Sequence, residues 1–326
     1  MKLAPITVFV YNRPWHIKQT IESLKKNKEA KKSDLFIFSD GPKNEDDQKK
    51  VDEVRKYIKK VNGFKMVTII ERQKNLRLAN SIIAGVTEII NKYGKIIVLE
   101  DDLIASPYFL KFMNKGLDLY KKEERVASIH GYIYPLKEKL PETFFLKHPG
   151  CWGWATWKNR WKFFEKDGKI LLKELKDKGL TKAFDYNNTY FFTKLLRNQA
   201  EGKLDSWAVR WWASLFLRNK LTLYPGRSLI FHNGSDGSGT HTGFSHYLDT
   251  ELTSKPILIK KINIKKNVTA FRIFSKYYKS INPPFPFGLI RSLKRKILAV
   301  LYITKILKFS IYDNKNDNKN SIERNA

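Results

Sequence analysis

The stretch Ile96-Ile97-Val98-Leu99-Glu100-Asp101-Asp102-Leu103 joins four apolar residues to three consecutive acids. An unbroken run of Ile, Val and Leu is typical of a strand that is covered on both faces, as in parallel sheets. Ligands of open parallel sheets bind outside the carboxyl ends of such strands. Crowded acids are costly unless a positive charge joins them. The stretch therefore predicts a divalent cation at the end of a central strand, although helix capping or pairing with Lys and Arg would also explain isolated acids.

Alternating strands and helices are predicted around this stretch. Apolar strands are expected at residues 6–11, 35–38, 67–70, 96–99 and 126–129, with apolar residues at helical spacing between them. Ser106 is expected to cap the helix after the acids, with Pro107 at its first position. Such alternation implies right-handed crossovers and a mostly parallel sheet. We therefore expect an α/β domain of the nucleotide-binding, Rossmann-like type in the first 130 residues.

The strand ends carry polar residues instead of a known phosphate-binding loop. Neither G-x-G-x-x-G after the first strand nor G-x-x-x-x-G-K-[ST] occurs in the sequence. Asn12 and Arg13 follow the first strand, Asp40 the second, and Arg72 and Asn75 the third. Ordinary loop polarity explains any one of these positions, but it explains all of them together poorly. We expect these residues to form one rim with the acid triplet.

Composition and charge limit the class of protein. The chain has 326 residues and a formal net charge of +30, and residues 255–312 contain fourteen Lys or Arg and no acid. An anionic partner is therefore expected. Cys151 is the only cysteine, which fits a reducing compartment. A strand predicted to begin at Ile6 leaves no room for a signal peptide, and no apolar stretch reaches the length of a membrane span, so we expect a cytoplasmic protein.

Aromatic residues are concentrated beyond residue 150. Four Trp occur within residues 152–161, and Trp152 and Trp154 could stack on sugar rings, although core packing explains most Trp residues equally well. Asp205 stands two residues before Trp207, a further candidate for stacking, at the start of an apolar helical segment. Asp205 is therefore either a helix cap or a catalytic acid.

Two later segments have distinctive compositions. Residues 232–243 contain four Gly and two His, which indicates either a lid over an anionic ligand or a plain surface loop. After a Pro-rich break, residues 289–309 form a basic, apolar segment that could lie on an anionic membrane or pack against protein. We expect four regions: a nucleotide-sugar half at 1–130, an acceptor-side half of mixed structure at 131–254, a basic helical extension at 255–312, and a disordered tail at 313–326.

The chemistry of these residues suits an activated sugar. Departure of a nucleotide diphosphate places negative charge on its oxygens, which a divalent ion can stabilise. Oxygen ligands favour Mn²⁺ or Mg²⁺ over zinc. Asp102 is best placed to reach the ion, with Glu100 and Asp101 serving the ribose or ordered waters. Asp40 could accept from a base N–H, and Arg13 could pair with the diphosphate.

Taken in order, the motifs resemble those of the GT-A glycosyltransferases, and among them the N-acetylglucosaminyltransferase I type, whose metal motif is also Glu-Asp-Asp. The resemblance covers roughly residues 4–245. It rests on residues 5–8 with Arg13, residues 38–41, residues 98–103 with Ser106-Pro107, residues 149–154, residues 205–207 and residues 241–243.

This resemblance implies an inverting, metal-dependent transfer from a UDP-sugar, with Asp102 as the metal ligand. It also implies that a loop containing His241 closes over the bound donor. The family has Asp-Asp-Trp where this chain has Asp205-Ser206-Trp207, so the catalytic base is Asp205 or another acid such as Asp236. Without the family's usual N-terminal anchor, the enzyme is expected at the inner face of the membrane, where the basic segment holds it near a lipid-linked glycan.

Two other functions remain open from the sequence. A sugar-nucleotide nucleotidyltransferase also needs an α/β sheet, a metal and diphosphate contacts, but it normally has a Gly-rich basic loop after the first strand. A non-enzymatic protein that binds nucleic acid or a membrane through its charge is the other alternative. Of the three functions, we expect that of a glycosyltransferase with a nucleotide-sugar donor. We do not expect nucleic acid as a partner.

Overall fold

A computed structural model describes residues 2–237 and 247–282 of the chain. The strands are β1 (Ile6–Val10), β2 (Asp34–Ser39), β3 (Met66–Glu71), β4 (Lys95–Glu100), β5 (Leu103–Ala105), β6 (Val126–His130), β7 (Thr143–Leu146), β8 (Trp154–Trp157), β9 (Leu221–Pro225) and β10 (Ile230–His232). The helices are α1 (Pro14–Lys25), α2 (Glu45–Ile58), α3 (Arg77–Tyr93), α4 (Phe109–Leu119), α5 (Lys158–Trp161), α6 (Gly168–Asp177), α7 (Thr181–Phe184), α8 (Phe192–Ala200), α9 (Trp207–Leu217) and α10 (Val268–Ile281).

Eight of these strands form one mixed sheet in the order β3-β2-β1-β4-β8-β6-β9-β7. The first four strands are parallel to one another, and β6 is parallel to β9. β8 runs antiparallel to β4 and β6, and β7 runs antiparallel to β9. The short strands β5 and β10 form a separate antiparallel pair. The prediction of a mostly parallel α/β sheet flanked by helices is confirmed.

The apolar run of β4 lies at the centre of the sheet and is covered on both faces. Ile97 and Leu99 pack into a core with residues of α1, α2 and α4. Ile96 and Val98 point to the other face, into a core with residues of α3 and α9. This alternation is the period of two that a strand imposes on its side chains. The strand therefore ends in the acid triplet at the middle of the sheet, as the sequence predicts.

The helix after the acids begins later than the sequence predicts. α4 starts at Phe109, and Ser106 and Pro107 lie in the turn before it. Ser106 is instead held by the structure around β5, because its N–H donates to Leu229 O and its Oγ donates to Thr253 O. The expectation that Ser106 caps a helix starting at Pro107 is therefore wrong. Ser106 Oγ also accepts from the N–H of Tyr108 at 3.3 Å, but this contact lies in the turn before the first helical residue, Phe109.

The structure divides the chain at a different place from the predicted regions. One compact unit comprises residues 1–279, and a second comprises residues 280–326, of which only 280–282 are described. Residues 255–279 therefore belong to the first unit. The predicted basic helix at 289–309 and the tail at 313–326 lie outside the described residues. No helix in the described part of the chain has both the length and the apolar character needed to cross a bilayer.

Candidate active site

Four parallel strands bring their carboxyl ends to one edge of the sheet. β1, β2, β3 and β4 are neighbours, so the residues that follow them lie on the same rim. Asn12 and Arg13 follow β1, Asp40 follows β2, and Arg72 follows β3. The acids lie at and just after the end of β4. The structure thus brings together the rim residues that the sequence singled out, which is the edge where α/β sheets bind ligands.

Arg13 joins two acids of the triplet. Its Nη2 donates to Asp101 Oδ1, and its Nη1 lies 3.0 Å from Asp102 Oδ2. Both carboxylates are buried, at 3% and 7% exposure for the whole residues. Burial alone would raise the pKa of Asp102, but hydrogen bonding to His232 and the charge of Arg13 lower it below its ordinary value. In the protein without ligand, Asp102 is therefore an ionised carboxylate held by a cation of the same chain.

Asp102 is also enclosed by the segment that follows β10. Nε2 of His232 lies 3.4 Å from Asp102 Oδ2, and the N–H of Asn233 donates to Asp102 O at 3.1 Å. A Cβ atom at Gly234 would lie 2.2 Å from Asp102 Oδ2, so a side chain at this position cannot be accommodated. The sequence indicated the glycine-rich segment as a whole but missed His232 as the partner of Asp102.

Asp101 and Glu100 share the same crowded corner. The Asp101 main-chain oxygen accepts from Thr20 Oγ1 at 2.7 Å, and its Oδ2 accepts from the N–H of Tyr11 at 3.4 Å. These bonds tie the triplet to α1 and to the end of β1. Burial, reinforced by the charges of Asp102 and Asp101, raises the pKa of Glu100. Three acids in one buried corner thus have different affinities for protons, which is a frequent property of functional sites.

Asp40 is fixed against the start of α3. Its Oδ1 accepts from the N–H groups of Gly41 at 3.1 Å and Leu76 at 3.0 Å. Burial raises its pKa, and these N–H groups partly offset that effect. Asn75 Nδ2 donates to Gly41 O at 2.6 Å, and a Cβ at Gly41 would lie 2.6 Å from the carbonyl carbon of Lys74. The end of β2 and the loop before α3 are therefore in direct contact, and this contact holds Asp40 and Asn75 in place.

Asn12 and Arg72 have structural partners on the same rim. Asn12 Nδ2 donates to Asp47 Oδ1 at 2.6 Å, and Tyr11 OH donates to Asp47 Oδ2 at 2.7 Å, which ties the end of β1 to the first turn of α2. The Arg72 guanidinium lies 5.2 Å from the centroid of the Phe38 ring, and its Nη2 donates to a carbonyl of α3. The sequence did not identify Asp47, because its contact depends on the tertiary packing of α2.

Asp205 is bound to a helix other than its own. Its Oδ2 accepts from the N–H of Ala79, in the first turn of α3, at 3.3 Å. The cap of α9 is Ser206, whose Oγ accepts from the N–H of Val209 at 3.4 Å. Because α3 begins after the carboxyl end of β3, this contact holds Asp205 at the rim that carries the acids. Its possible role as the cap of α9 is therefore excluded by the geometry.

Asp236 follows the segment that encloses Asp102. Its Oδ2 lies 3.1 Å from Nε2 of His16 on α1, and its side chain is 41% exposed. Sequence reasoning missed His16, since nothing local to α1 indicates a partner more than two hundred residues away. His241, which was expected to contact the donor, lies outside the described residues.

The three candidate Trp residues have different surroundings. Trp154 and Trp207 stack on each other with ring centroids 5.1 Å apart, and they are 0% and 2% exposed. Neither ring presents a free face to a sugar, so both are core residues and the expectation that they stack on substrate is corrected. Trp152 is half-buried, and its ring lies 4.7 Å from that of His232, beside Asp102. Of the three candidate Trp residues, only Trp152 lies next to the acids.

The described residues contain no ready-made cage of three His, Cys, Asp or Glu side chains for a metal ion. A cage is not required for Mg²⁺ or similar ions, which commonly bind through one or two carboxylates, substrate phosphates and water. Asp102 and its neighbour Asp101 supply two adjacent carboxylates at this edge. The low pKa of Asp102 keeps it in the deprotonated form that a metal requires. The residues present therefore fit a divalent ion whose remaining ligands are phosphate oxygens or water.

Comparison with known families gives one match. The model of the family described as "Glycosyl transferase family 2" matches residues 6–172, more than half of the chain. The matched part includes the four parallel strands and the acid triplet, and it ends before Asp205 and β10. No curated protein matches the chain at a significant level.

Several solved structures show a distant likeness. TarS residues 1–349 of S. aureus have 13% identity and a TM-score of 0.38, with 70% of this chain and 60% of that chain covered. The mannosyltransferase PcManGT from Pyrobaculum calidifontis, in complex with GDP-Man and Mn²⁺, has 10% identity and a TM-score of 0.38, with 66% and 75% covered. A UDP-glucose pyrophosphorylase complexed with UDP-glucose has 9% identity and a TM-score of 0.34, with 69% and 91% covered. The aligned part spans about 60% of the length of the TarS fragment, and likenesses at this level do not decide an activity.

Proposed function

We propose that this chain, which belongs to glycosyl transferase family 2, transfers a sugar from a nucleotide-diphosphate donor to a glycan acceptor. The transfer would use a divalent metal ion and would invert the configuration at the anomeric carbon. Family membership makes the protein a glycosyltransferase of the GT-A type and decides against the nucleotidyltransferase and non-enzymatic alternatives. The observation that carries the finer proposal is the pairing of Arg13 with Asp101 and Asp102 at the end of β4.

The donor is proposed to bind across this pairing. Asp102 would hold the metal ion, Mn²⁺ or Mg²⁺, with Asp101 beside it. When bound, such an ion supplies Lewis-acid stabilisation of the charge that develops on the departing diphosphate. Arg13 would pair with the diphosphate, since a guanidinium that already binds two carboxylates can bind phosphate oxygens by the same geometry. Phosphate oxygens of the donor would thus replace carboxylate oxygens as the hydrogen-bond acceptors of Arg13.

The nucleoside is proposed to lie along the rim toward β2. Asp40, fixed by the N–H groups of Gly41 and Leu76, is a rigid acceptor for an N–H of the base. Glu100 would serve the ribose. Uridine is the proposed nucleoside, which rests on the resemblance to the N-acetylglucosaminyltransferase I type and its Glu-Asp-Asp motif.

The acceptor hydroxyl requires a base on the opposite side of the sugar from the leaving group, since attack from that side inverts the anomeric centre. Asp205 is the first candidate, because its contact with Ala79 holds it at the rim. Asp236 is the second candidate, because it follows the segment that encloses Asp102. Trp152 would support a sugar ring next to His232.

The acceptor is proposed to be a lipid-linked surface glycan. The support is the charge of the C-terminal part, since residues 255–312 carry fourteen basic residues and no acid. Such a segment favours an anionic membrane surface. The enzyme would then act as a peripheral protein at the inner face of the membrane.

A donor screen tests this function. Purified protein is incubated with UDP-, GDP- and TDP-sugars, with Mn²⁺, with Mg²⁺ or with EDTA, and release of the nucleoside diphosphate is measured. We expect hydrolysis of a UDP-sugar that depends on the metal. Equal turnover in EDTA would contradict the metal assignment, and preference for a GDP-sugar would contradict the proposed nucleoside. NMR of the transferred sugar then reports whether its anomeric configuration is inverted.

A further inference from the structure

A second concave surface lies at the opposite edge of the sheet from the acids. It is a cavity of about 720 Å³ between the C-terminal half of α3 and the turn from β8 into α5. Lys95, the first residue of β4, pairs with Trp157 at this edge, whereas the acids follow the last residue of the strand. Five steps of about 3.3 Å along β4 place the cavity roughly 17 Å from the acids. The cavity is therefore separate from the candidate active site.

The floor of this cavity is apolar. It is formed by Ile83, Ile90, Trp157, Trp161 and Phe164. The N–H groups of both indoles donate into the protein, that of Trp157 to a carbonyl of α4 at 3.1 Å and that of Trp161 to a hydroxyl of α3 at 2.9 Å. An apolar ligand on this floor would therefore leave no indole N–H without a partner, and it would cover the apolar edges that these mostly buried side chains leave exposed.

The rim of the cavity is cationic. Lys121, Lys158, Lys162 and Lys166 line it, and none of its lining residues in the described part of the chain is Asp or Glu. Lys121 pairs with Asp118 at 3.0 Å. The other three are exposed and form no ion pair within the described residues. Three ammonium groups that form no ion pair in this part of the chain, around an apolar floor, attract an anion that also carries an apolar part.

The acids next to the rim have other partners. Glu165 Oε1 accepts from the N–H of Asp167 at 2.8 Å, and Asp167 Oδ1 accepts from the N–H of Lys169 as the cap of α6. Gly94 ends α3 in the left-handed conformation, and no atom from beyond its neighbouring residues and the end of its helix lies within 4 Å of the place where its Cβ would be. The cavity is therefore open at the turn into β4, next to Lys158, whose N–H donates to Gly94 O.

We propose that this cavity binds one molecule of a lipid phosphate, with its alkyl chain on the indole floor and its phosphate among Lys158, Lys162 and Lys166. The volume lies in the range of small-molecule sites, and lysine ammonium groups bind phosphate as point charges. The proposal goes beyond the transfer reaction and does not depend on it, because the cavity shares no residue with the acid corner. Such a ligand would attach the protein to lipid at the edge opposite the donor.

Calorimetric titration of the full chain with monomeric decyl phosphate, kept below its micelle concentration, tests this proposal. Inorganic phosphate tests the phosphate group alone, and decyl maltoside tests the alkyl group without a charge. We expect decyl phosphate to bind with an affinity that falls as salt is raised, and both single-feature probes to bind much more weakly. Saturating UDP with Mn²⁺ should not compete. Equal binding of decyl maltoside, absence of binding by decyl phosphate, or competition by UDP would each overturn the proposal.

Charge-reversal variants locate the ligand. Lys158→Glu with Lys162→Glu should weaken decyl phosphate binding about tenfold or more, since each reversal replaces an attraction of the phosphate by a repulsion. The matched control is Lys111→Glu with Lys115→Glu, two exposed residues of α4 with the same spacing that do not line the cavity. Asn91→Trp, at an exposed lining position, should block the floor and abolish binding without charge reversal. Equal losses in the control pair, or full binding in Asn91→Trp, would contradict this location.

Discussion

Nη1 of Arg13 lies 3.0 Å from Oδ2 of Asp102. The residue proposed to bind the diphosphate thus pairs with the residue proposed to bind the metal. In the protein without ligand, Arg13 supplies the positive charge that the buried acids require. A bound metal ion would become the counter-charge of the carboxylates, and a bound diphosphate would become the counter-charge of Arg13. The strength of the Arg13 pairing therefore influences both stability and donor binding.

Replacement of Arg13 by Ala should destabilise the protein by about 3–5 kcal/mol, because it leaves two buried carboxylates without their cation. Urea unfolding measures this loss. Mn²⁺ should raise the stability of Arg13→Ala more than that of the wild type, since the ion would meet the uncompensated acids. Arg125→Ala, which removes an exposed ion pair with Glu123, is the control and should change little. A Mn²⁺ effect confined to the wild type would contradict the metal site.

Asp102→Asn should abolish sugar transfer while the protein remains folded. Loss of the carboxylate removes several kcal/mol of charge stabilisation, which corresponds to about a hundredfold or more in rate. Calorimetry of UDP with and without Mn²⁺ should show that the metal no longer strengthens binding, and circular dichroism should show an intact fold. Asp52→Asn, on the exposed face of α2, is the matched control. Full activity of Asp102→Asn would refute the metal assignment.

Asp205→Asn separates catalysis from structure at this position. The amide oxygen can still accept from the N–H of Ala79, so the contact with α3 is kept while the base is lost. We expect turnover to fall by roughly 10²- to 10⁴-fold, with donor affinity nearly unchanged. A change in affinity alone would show that Asp205 is not the base.

Asp236→Asn provides the comparison between the two candidate bases. If Asp205 is the base, Asp236→Asn should keep most of the turnover and instead weaken donor binding, because Asp236 contacts His16 and follows the segment that encloses Asp102. Steady-state kinetics with the active donor measure both effects. A larger loss of turnover in Asp236→Asn than in Asp205→Asn would assign the base to Asp236.

Burial lowers the pKa of His148 to about 3, from an ordinary value of 6.5. Between these values the unfolded chain binds a proton that the folded chain does not, so stability rises with pH and is lost as the pH falls. His148→Phe, among the rings of Trp212 and Phe192, should reduce this slope by up to about 1.4 kcal/mol per pH unit. Urea unfolding between about pH 5 and 6.5 gives the slopes. Equal slopes for both proteins would contradict the prediction.

Removal of the chain from Leu289 onward should weaken binding to anionic vesicles at low salt. The deleted part contains six Lys or Arg in residues 289–309 among apolar residues, and each basic residue near an anionic surface contributes about 1 kcal/mol. Vesicle sedimentation measures the partitioning, and vesicles of neutral lipid are the control. Unchanged partitioning of the shortened protein would indicate that this segment packs against protein instead.

Local patterns predicted the sheet and its rim well. The alternation of Ile96 and Val98 with Ile97 and Leu99 between two cores is a direct result of strand geometry, and a continuous apolar run already indicates burial on both faces. The placement of the acids follows, because parallel neighbours end at the same edge. These features depend only on residues close together in sequence.

The remaining features depend on contacts between distant parts of the chain. His232 meets Asp102 only because β10 pairs with β5, and no local pattern fixes that register. The residue type of Trp154 and Trp207 suits both sugar stacking and core packing, and burial against each other decides their role. Ser106 is a residue type that often caps helices, yet α4 begins only at Phe109 and the Ser106 hydroxyl donates to Thr253 O. Long-range packing overrides residue type in each case.

The antiparallel pairing of β5 with β10 has a consequence for biosynthesis. Leu103 leaves the ribosome more than a hundred residues before His232, its partner in the pairing. A growing chain therefore exposes its acids and Arg13 long before the segment around Gly234 is available to enclose them. Because contacts between distant residues form late, catalytic competence should arise only after the segment around Gly234 has been synthesised, when the first half of the fold is already built.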